Sequence, residues 1–160
     1  MHVDALNALL PEDVAVLSCD PAADRFDARR DATSRAYTYR LLNRRGRSAL
    51  RRGRALHWPH ALDMGPLAEC AAALVGTHDF TAFTPSETEH VRFWREVFAA
   101  YWVKRDELVE FWIEADAFMR RMVRVMVGTM LEVAAGQRSM ASFVELLEGA
   151  PRSAAGETAP

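Results

Sequence analysis

Residues 91–115 are VRFWREVFAAYWVKRDELVEFWIEA, the most informative stretch of the chain. Both ends of this stretch are rich in aromatic and β-branched residues, and the polar run at 104–107 separates them. The pattern predicts two antiparallel strands, 91–103 and 108–115, joined by a turn. Because side chains alternate along a strand, every second residue of the later strand is expected on one face of the sheet. That face holds Val109, Phe111, Ile113 and Ala115.

On the C-terminal side, residues 118–135 give the strongest helix prediction, because apolar side chains recur there at helical spacing. Gly136 is a natural end for this helix. A second helix is predicted over 139–147, with Ser139 as its N-cap. The residues at helical spacing in the first helix are Met122, Val125, Met126, Thr129, Met130 and Val133.

On the N-terminal side, the apolar stripe within 67–74 predicts another helix, with Asp63 as N-cap and Gly76 as its end. Strands are predicted at 14–19 and 32–42, and a short one begins at Leu56. The segment 77–90 is predicted to be irregular, and 150–160 is expected to be loose unless something follows it. These elements predict an α+β domain, a mostly antiparallel sheet flanked by helices.

The composition fits one domain of ordinary size. The chain has 160 residues, half of them hydrophobic, and a formal net charge of −2. It contains no run of about eighteen apolar residues, so no membrane span is predicted. The N-terminal ten residues lack the pattern of a secretory signal. Cys19 and Cys70 form no CxxC pair, so two free thiols in a cytoplasmic protein are favoured over a disulfide or a zinc site.

Arginines are concentrated in one part of this slightly acidic chain. Only Asp27 and Asp31 oppose them there, so the local excess of positive charge can attract phosphates. The alternative is a solvated basic loop without a ligand. The arginines are Arg25, Arg29, Arg30, Arg35, Arg40, Arg44, Arg45, Arg47, Arg51, Arg52 and Arg54.

Five short segments, in this order and spacing, resemble the tRNA pseudouridine synthase A family over nearly the whole chain. Each segment is weak alone, but their combination is specific. They are ALNALLP at 5–11, FDAR at 26–29, RAYTY at 35–39, GTHDF at 76–80 followed by Phe83, and FMRRMVR at 118–124 followed by Gly128.

The sequence departs from the family pattern in two places. The catalytic aspartate of the family lies in an Arg-Thr-Asp-Ala-Gly context, which no aspartate of this chain has. A last strand that begins with a Gly-Leu pair is also missing. The resemblance therefore implies that residues 1–160 are the C-terminal portion of a pseudouridine synthase catalytic domain, incomplete at both ends and inactive by itself.

The resemblance implies an isomerase that converts uridine to pseudouridine in the anticodon arm of tRNA, as a cytoplasmic homodimer and without a cofactor. An aspartate attacks the uridine ring or its sugar, the glycosidic bond breaks, and the base rotates and rejoins through carbon. The target uridine must first leave its stack, which costs roughly a few kcal/mol.

Two residues are expected to carry the chemistry, by their alignment with the family motifs. Tyr37 aligns with the active-site tyrosine, and a phenol can stack on a flipped base and exchange a proton. Arg124 aligns with the arginine that pairs with the catalytic aspartate and keeps it ionised. The residues next to Arg124 in the sequence are apolar, and an arginine in apolar surroundings needs a partner. The alternatives are a core tyrosine and a snorkelling surface arginine.

Five further arginines are candidate RNA contacts. Arg120 and Arg121 lie four and three residues before Arg124, so all three are expected on one side of a helix. Solvated positions remain the alternative for these two residues. The other candidates are Arg29, Arg30 and Arg35. No metal site is predicted, because the histidines near residue 57 lack a third ligand.

Two other classes of protein compete with the enzyme. A non-catalytic RNA-binding module would use the arginine-rich stretch, and its affinity for tRNA would fall as the salt concentration rises. A structural or dimerisation fragment would use the apolar helix at 118–135, and would form a stable dimer without RNA.

Overall fold

A computed structural model describes residues 2–89 and 91–160. The contacts within these residues divide the chain into two compact units, Met1–Ala32 and Thr33–Pro160. The first unit contains helix α1, His2–Leu9. The strand predicted at 14–19 is wrong, because this segment pairs with no strand among the described residues. Instead, the side chain of Asn7 donates to the carbonyl of Val16 and accepts from its N–H, at 2.9 and 2.7 Å.

The described part of the second unit contains a five-stranded sheet in the order β2-β1-β5-β4-β3. Strands β1 and β2 are parallel, and every other pair is antiparallel, which confirms the predicted α+β class with a mostly antiparallel sheet. The strands are β1 Arg35–Leu42, β2 Leu56–His57, β3 Gly76–Asp79, β4 Trp94–Arg105 and β5 Leu108–Ala115.

The predicted hairpin is confirmed and supplies two central strands of the sheet, β4 and β5. Its turn is tighter than predicted, because only residues 106–107 lie between the strands, with Asp106 in a left-handed conformation. The four residues expected on one face of β5 are all buried. Most of strand β3 falls in the segment predicted as irregular, so that prediction is wrong for 77–79, while His90 lies outside the described residues.

Three helices were predicted in the second unit, and two of them begin at their predicted N-caps. Helix α2 is Met64–Leu74, and the Asp63 side chain accepts from the N–H of Gly65 at 2.9 Å. Helix α4 is Met140–Glu145, and Ser139 accepts from the N–H of Ser142 at 3.1 Å. Helix α3 is Met122–Ala134, and its six predicted core residues are all buried. The apolar side of α3 therefore packs into the core of this chain itself.

Helix α3 begins four residues later than predicted. Arg121 adopts a left-handed conformation, with φ of 60°, which stops the helix from extending backwards. Residues 118–121 therefore form a loop, and the expectation that Arg120 and Arg121 share one helix side with Arg124 is wrong. A left-handed conformation is unfavourable for an arginine, and such residues concentrate at functional sites.

The segment 150–160 was predicted to be loose, but it packs along α3. Gly156 and Ala159 are buried there. The N–H of Gly156 donates to the hydroxyl of Thr129 at 3.1 Å, and that of Ala159 donates to the carbonyl of Arg124 at 3.0 Å. Close approach is possible because residue 128 is glycine, since an added Cβ would collide with the backbone of the segment at Glu157. We call residues 155–160 the tail.

The two thiols lie in different units and different environments. Both are free, with Cys19 exposed and Cys70 buried in the core. Burial, helped by the charge of Glu69, raises the pKa of the Cys70 thiol to about 12. In the described part of the chain, no helix combines the length and the apolar character that crossing a membrane requires.

Candidate functional site

The start of β1 and the start of α3 meet at a cavity of about 340 Å³. Three consecutive residues of β1, Tyr37–Tyr39, form one wall. The loop at 118–121 and the first turn of α3 form the other. We call this space the tyrosine cavity. It brings together four of the residues predicted from the sequence, which are Tyr37, Arg120, Arg121 and Arg124.

Tyr37 presents an aromatic ring at this cavity. Its side chain is 52% exposed, so the ring remains accessible to a ligand. The ring of Phe118 meets it edge-on, with centroids 5.0 Å apart and planes at 90°. Edge-to-face contact is a preferred geometry for aromatic pairs, so Phe118 fixes the orientation of the Tyr37 ring. The alternative of a tyrosine with its ring packed in the core does not fit this exposure.

Arg124 lies in the first turn of α3 and is exposed. The expectation of apolar surroundings is wrong, because the helix turns Met122 and Val125 into the core and Arg124 away from it. Its Nε donates to the carbonyl of Ala159 at 2.7 Å. Among residues 2–89 and 91–160, no acidic group forms an ion pair with the guanidinium, so its terminal nitrogens have no carboxylate partner there.

The tail holds Arg124 from two sides. Ala159 receives a hydrogen bond from the side chain of Arg124 and gives one to its backbone carbonyl. One bond fixes the direction of the guanidinium, and the other fixes the backbone in the first turn of α3. Of the five donors of an arginine, one is therefore used for positioning, while the two terminal amino groups remain for a ligand.

Tyr39 belongs to the same structure, although the sequence prediction did not include it among the site residues. Its hydroxyl donates to the carbonyl of Pro160 at 2.8 Å. Burial raises the pKa of Tyr39, and the positive charge of Arg124 partly opposes this shift. The signal was available in the sequence, because the alternation along β1 places Tyr39 on the same face as Tyr37.

The other predicted RNA contacts are not among the residues that line this cavity. Arg29 and Arg30 lie in the first unit, where their backbone N–H groups donate to the carboxylate of Asp27 and lower its pKa. Arg35 is half-buried and donates to the carbonyl of Asp116 at 3.0 Å, so it fastens the start of β1 to the loop after β5. Arg120 and Arg121 are exposed at the mouth of the cavity.

The histidines near residue 57 have structural contacts. His57 Nε2 lies 2.9 Å from the carbonyl of Arg44, and the rings of His60 and Trp58 are 5.8 Å apart. Across the described residues, no group of three or more His, Cys, Asp or Glu side chains is arranged to hold a metal ion.

The chemistry of the tyrosine cavity follows from its two walls. One offers an accessible aromatic ring, on which a planar group can stack. The other offers three arginines, of which only Arg124 is anchored by the tail. A guanidinium with free terminal nitrogens matches a carboxylate or a phosphate. The cavity therefore suits a planar ring carried next to negative charge.

Comparison with known proteins shows the family to which this chain is similar. A family model described as tRNA pseudouridine synthase matches residues 70–160. The tRNA pseudouridine synthase A of Myxococcus xanthus is 40% identical over 162 residues, which covers 99% of this chain and 60% of the relative. The proteins of the same name from Bacillus pumilus and Bacillus subtilis are each 35% identical over 156 residues, covering 98% of this chain and 63% of each relative.

The chain spans about three fifths of the length of the curated relatives that it matches. The family model covers more than half of the residues, including β4, β5 and the whole of α3. Tyr37 lies outside that match and inside the alignments with the relatives, which extend over nearly the entire chain. The chain belongs to the tRNA pseudouridine synthase family.

Proposed function

We propose that this chain forms the tyrosine and arginine walls of a site that isomerises uridine to pseudouridine in the anticodon arm of tRNA. One observation carries the proposal: Tyr37 and Arg124 line the same cavity, on different elements, while Arg124 lacks an acidic partner in the described part of the chain. A guanidinium held in place with free terminal nitrogens is ready to receive a carboxylate.

The roles of the two residues follow from their positions. Arg124 receives the nucleophilic carboxylate and holds it in its ionised, reactive form. Tyr37 stacks on the uracil ring after the uridine has left its stack, and its hydroxyl can exchange a proton with the base. The bond from the sugar to N1 breaks and a bond to C5 forms. The proton on C5 is lost and N1 gains one, so no cofactor is required.

The carboxylate itself is proposed to come from outside residues 1–160. None of the aspartates in this chain has the sequence context expected for the nucleophile. Tyr39 and the tail act as positioning groups, because the Tyr39 hydroxyl donates to the backbone oxygen of Pro160 and the carbonyl of Ala159 accepts from Arg124 Nε.

A chimaera tests the proposal. The chain replaces the matching part of the Myxococcus xanthus relative, and the product is incubated with tRNA transcribed without modification. We expect pseudouridine from the chimaera and none from residues 1–160 alone. Tyr37→Phe and Arg124→Lys should abolish most turnover while tRNA affinity changes little. Pseudouridine formed by the chain alone, or full activity in both variants, would contradict the assignment.

A non-catalytic RNA-binding module is the second candidate, favoured by Arg47, Arg51 and Arg52 of the 43–55 loop, whose guanidinium groups form no hydrogen bond or ion pair within the described residues. It predicts salt-dependent tRNA binding and no pseudouridine from the chimaera. The dimerisation fragment loses its basis, since α3 buries its apolar side in its own chain. We retain a cytoplasmic homodimer as part of the proposal. Sedimentation of the chimaera with and without tRNA tests the dimer.

A further inference from the structure

A second cavity, of about 700 Å³, lies at the other end of β1. Residues 43–55, which we call the arginine loop, connect β1 to β2 and supply most of its lining. Arg47, Arg51 and Arg52 line this cavity, which shares no lining residue with the tyrosine cavity. Its remaining lining residues are Leu42, Ser48, Ala49, Gly53, Ala55 and His57.

Arg44 shapes the arginine loop from within. Its Nε donates to the carbonyl of Gly46 at 2.7 Å, and its Nη2 donates to the carbonyl of Arg47 at 3.1 Å. Its Nη1 pairs with Glu107 at 2.9 Å, which ties the loop to the hairpin turn. The carbonyl of Arg44 lies 2.9 Å from His57 Nε2. One arginine therefore holds the loop in shape before any ligand arrives.

The base of the loop is also fastened. The side-chain amide of Asn43 donates to the carbonyls of Trp58 and His60, at 3.0 and 2.8 Å. Further along, the N–H groups of Arg54 and Ala55 both donate to the carbonyl of Arg51, at 3.0 and 3.1 Å, and form a tight turn. This turn sets two cavity-lining arginines side by side.

The three lining arginines differ from Arg44 in having unused side chains. In the described part of the chain, none of their guanidinium groups forms a recorded hydrogen bond or ion pair. The loop contains no acidic residue, and Glu107 is already paired with Arg44. Three like charges around one cavity repel each other, and this arrangement becomes favourable when anions lie between them.

We propose that the arginine loop is a binding site for successive phosphates of an RNA backbone. Guanidinium groups match phosphate oxygens in a bidentate geometry. No Phe, Tyr or Trp is among the lining residues, so the site offers no large aromatic surface for a base, and the ring of His57 is held at the carbonyl of Arg44. It therefore recognises the backbone without reading sequence. The inference rests on the proposed function in one respect, which is that the RNA is identified as tRNA.

Matched pairs of arginines within the same loop test the proposal. Arg47→Gln with Arg52→Gln removes two charges that line the cavity. Arg45→Gln with Arg54→Gln removes two charges of the same loop that do not line it. Affinity of the complete chain for unmodified tRNA is measured by fluorescence anisotropy between about 50 and 200 mM salt, the range over which phosphate contacts are most visible.

The lining pair should weaken tRNA binding by about tenfold and reduce the slope of log affinity against log salt by about two. The control pair should change the affinity by less than about twofold. Equal losses in both pairs would overturn the proposal in favour of diffuse attraction, and no loss in either would also overturn it. Melting temperatures of both variants should match the unmodified chain, because none of the four side chains forms a hydrogen bond or ion pair with the residues that the structure describes.

Two further measurements distinguish this proposal from a site for small anions and from the proposed isomerase activity. Inorganic phosphate is the probe for a free-anion site, and it should displace tRNA only at concentrations far above the tRNA dissociation constant. Displacement at equal concentration would show a site for small anions and overturn the proposal. In the chimaera, the lining pair should raise KM for tRNA. If the loop variants lose affinity while the chimaera makes no pseudouridine, the phosphate site stands and the proposed isomerase does not.

Discussion

The two ends of β1 carry two basic surfaces that are built in different ways. At the start of the strand, Arg124 is anchored by the tail beside an accessible aromatic ring. At its end, the arginine loop has its lining guanidiniums free around a larger cavity that contains no Phe, Tyr or Trp. Strand β1 ends at Leu42, five residues beyond Tyr37, which is about 17 Å along the strand at 3.3 to 3.4 Å per residue.

The difference lies in where the hydrogen bonds are used. In the tyrosine cavity they fix the group that meets the ligand, so the position of one guanidinium is defined. In the arginine loop they fix the backbone through Arg44, and the ligand-facing side chains stay adaptable. A defined position suits one nucleotide at a reacting centre, because catalysis depends on alignment. Adaptable charges suit a backbone whose phosphates recur along the chain.

The largest expected effect comes from changing the anchored arginine. Arg124→Lys keeps the charge, but a single amino group cannot bond the carbonyl of Ala159 and also grip a carboxylate with two nitrogens. We expect turnover of the chimaera to fall by about 100-fold, as loss of a positioned bidentate pair costs roughly 3 kcal/mol in the transition state. Pseudouridine formation under single-turnover conditions measures the effect.

Arg138→Lys is the matched control for this substitution. Arg138 follows the other end of α3, where it pairs with Glu132 at 3.0 Å, away from the tyrosine cavity. Turnover of the chimaera that carries Arg138→Lys should stay within about twofold of the unmodified chimaera, since a lysine can keep this ion pair. A similar loss in both variants would mean that the site does not depend on how Arg124 is held.

The next effect concerns packing of the tail. Gly128→Ala places a methyl group where the carbonyl oxygen of Glu157 lies, so either the tail or the helix must move. We expect a loss of about 1–3 kcal/mol in the free energy of unfolding, although alanine favours a helix over glycine. Gly46→Ala in the arginine loop is the control, because its Cβ would meet no described atom within 4 Å. Urea unfolding compares the two, and equal stabilities would show that the tail does not pack on α3.

A smaller effect is expected from the Tyr39 hydroxyl, which bonds the tail. Tyr39→Phe removes the bond to the carbonyl of Pro160, at a cost of about 1 kcal/mol near neutral pH. Because burial raises the pKa of Tyr39 in the folded state, the protonated phenol stabilises the fold. This contribution is complete below the unfolded value of about 10 and is lost as pH rises beyond it.

Urea unfolding between about pH 8 and pH 11 tests the sign of this dependence. The unmodified chain should lose stability above about pH 10, and Tyr39→Phe should lose less. Tyr101→Phe, on the other face of the sheet, controls for removal of a tyrosine hydroxyl in general. The arginine loop contains no tyrosine, lysine or cysteine, so it does not contribute to the change in stability over this pH range. If the free energy of unfolding of Tyr39→Phe falls with pH as steeply as that of the unmodified chain, the result would contradict the burial of this hydroxyl.

The sequence predicted most of what depends on periodicity. The hairpin and the core face of α3 repeat over enough residues for the pattern to identify them, and Asp63 and Ser139 act as the predicted caps. Strand β3 was missed because four residues, GTHD, are too short to show alternation and depend on pairing with β4. The strand prediction at 14–19 was wrong for the opposite reason: the residue types suit a strand, but the segment pairs with no strand in the described part of the chain.

The site was predicted through its motifs, while its construction depends on contacts that local sequence does not show. Tyr37 and Arg124 were named, and they line one cavity. The left-handed Arg121 was hidden, because Phe118, Met119 and Met122 continue the helical spacing backwards. The order of the tail depends on Gly128, which lies nearly thirty residues before its contact at Glu157. Such long-range packing has no signature in a single stretch of chain.

The smallest expected effect tests whether Arg44 shapes the arginine loop. Glu107→Gln weakens the bond to Arg44, whose side chain is 35% exposed against 56% for Glu107, so solvent screens much of the pair. We expect the free energy of unfolding to fall by about 0.5 kcal/mol at low salt and by less at high salt. The double change Arg44→Gln with Glu107→Gln separates the pair itself from the loop bonds of Arg44. If the double change costs no more than Glu107→Gln alone, then the bonds from Arg44 to Gly46 and Arg47 do not hold the loop, and the contrast between the two ends of β1 rests on the tail alone.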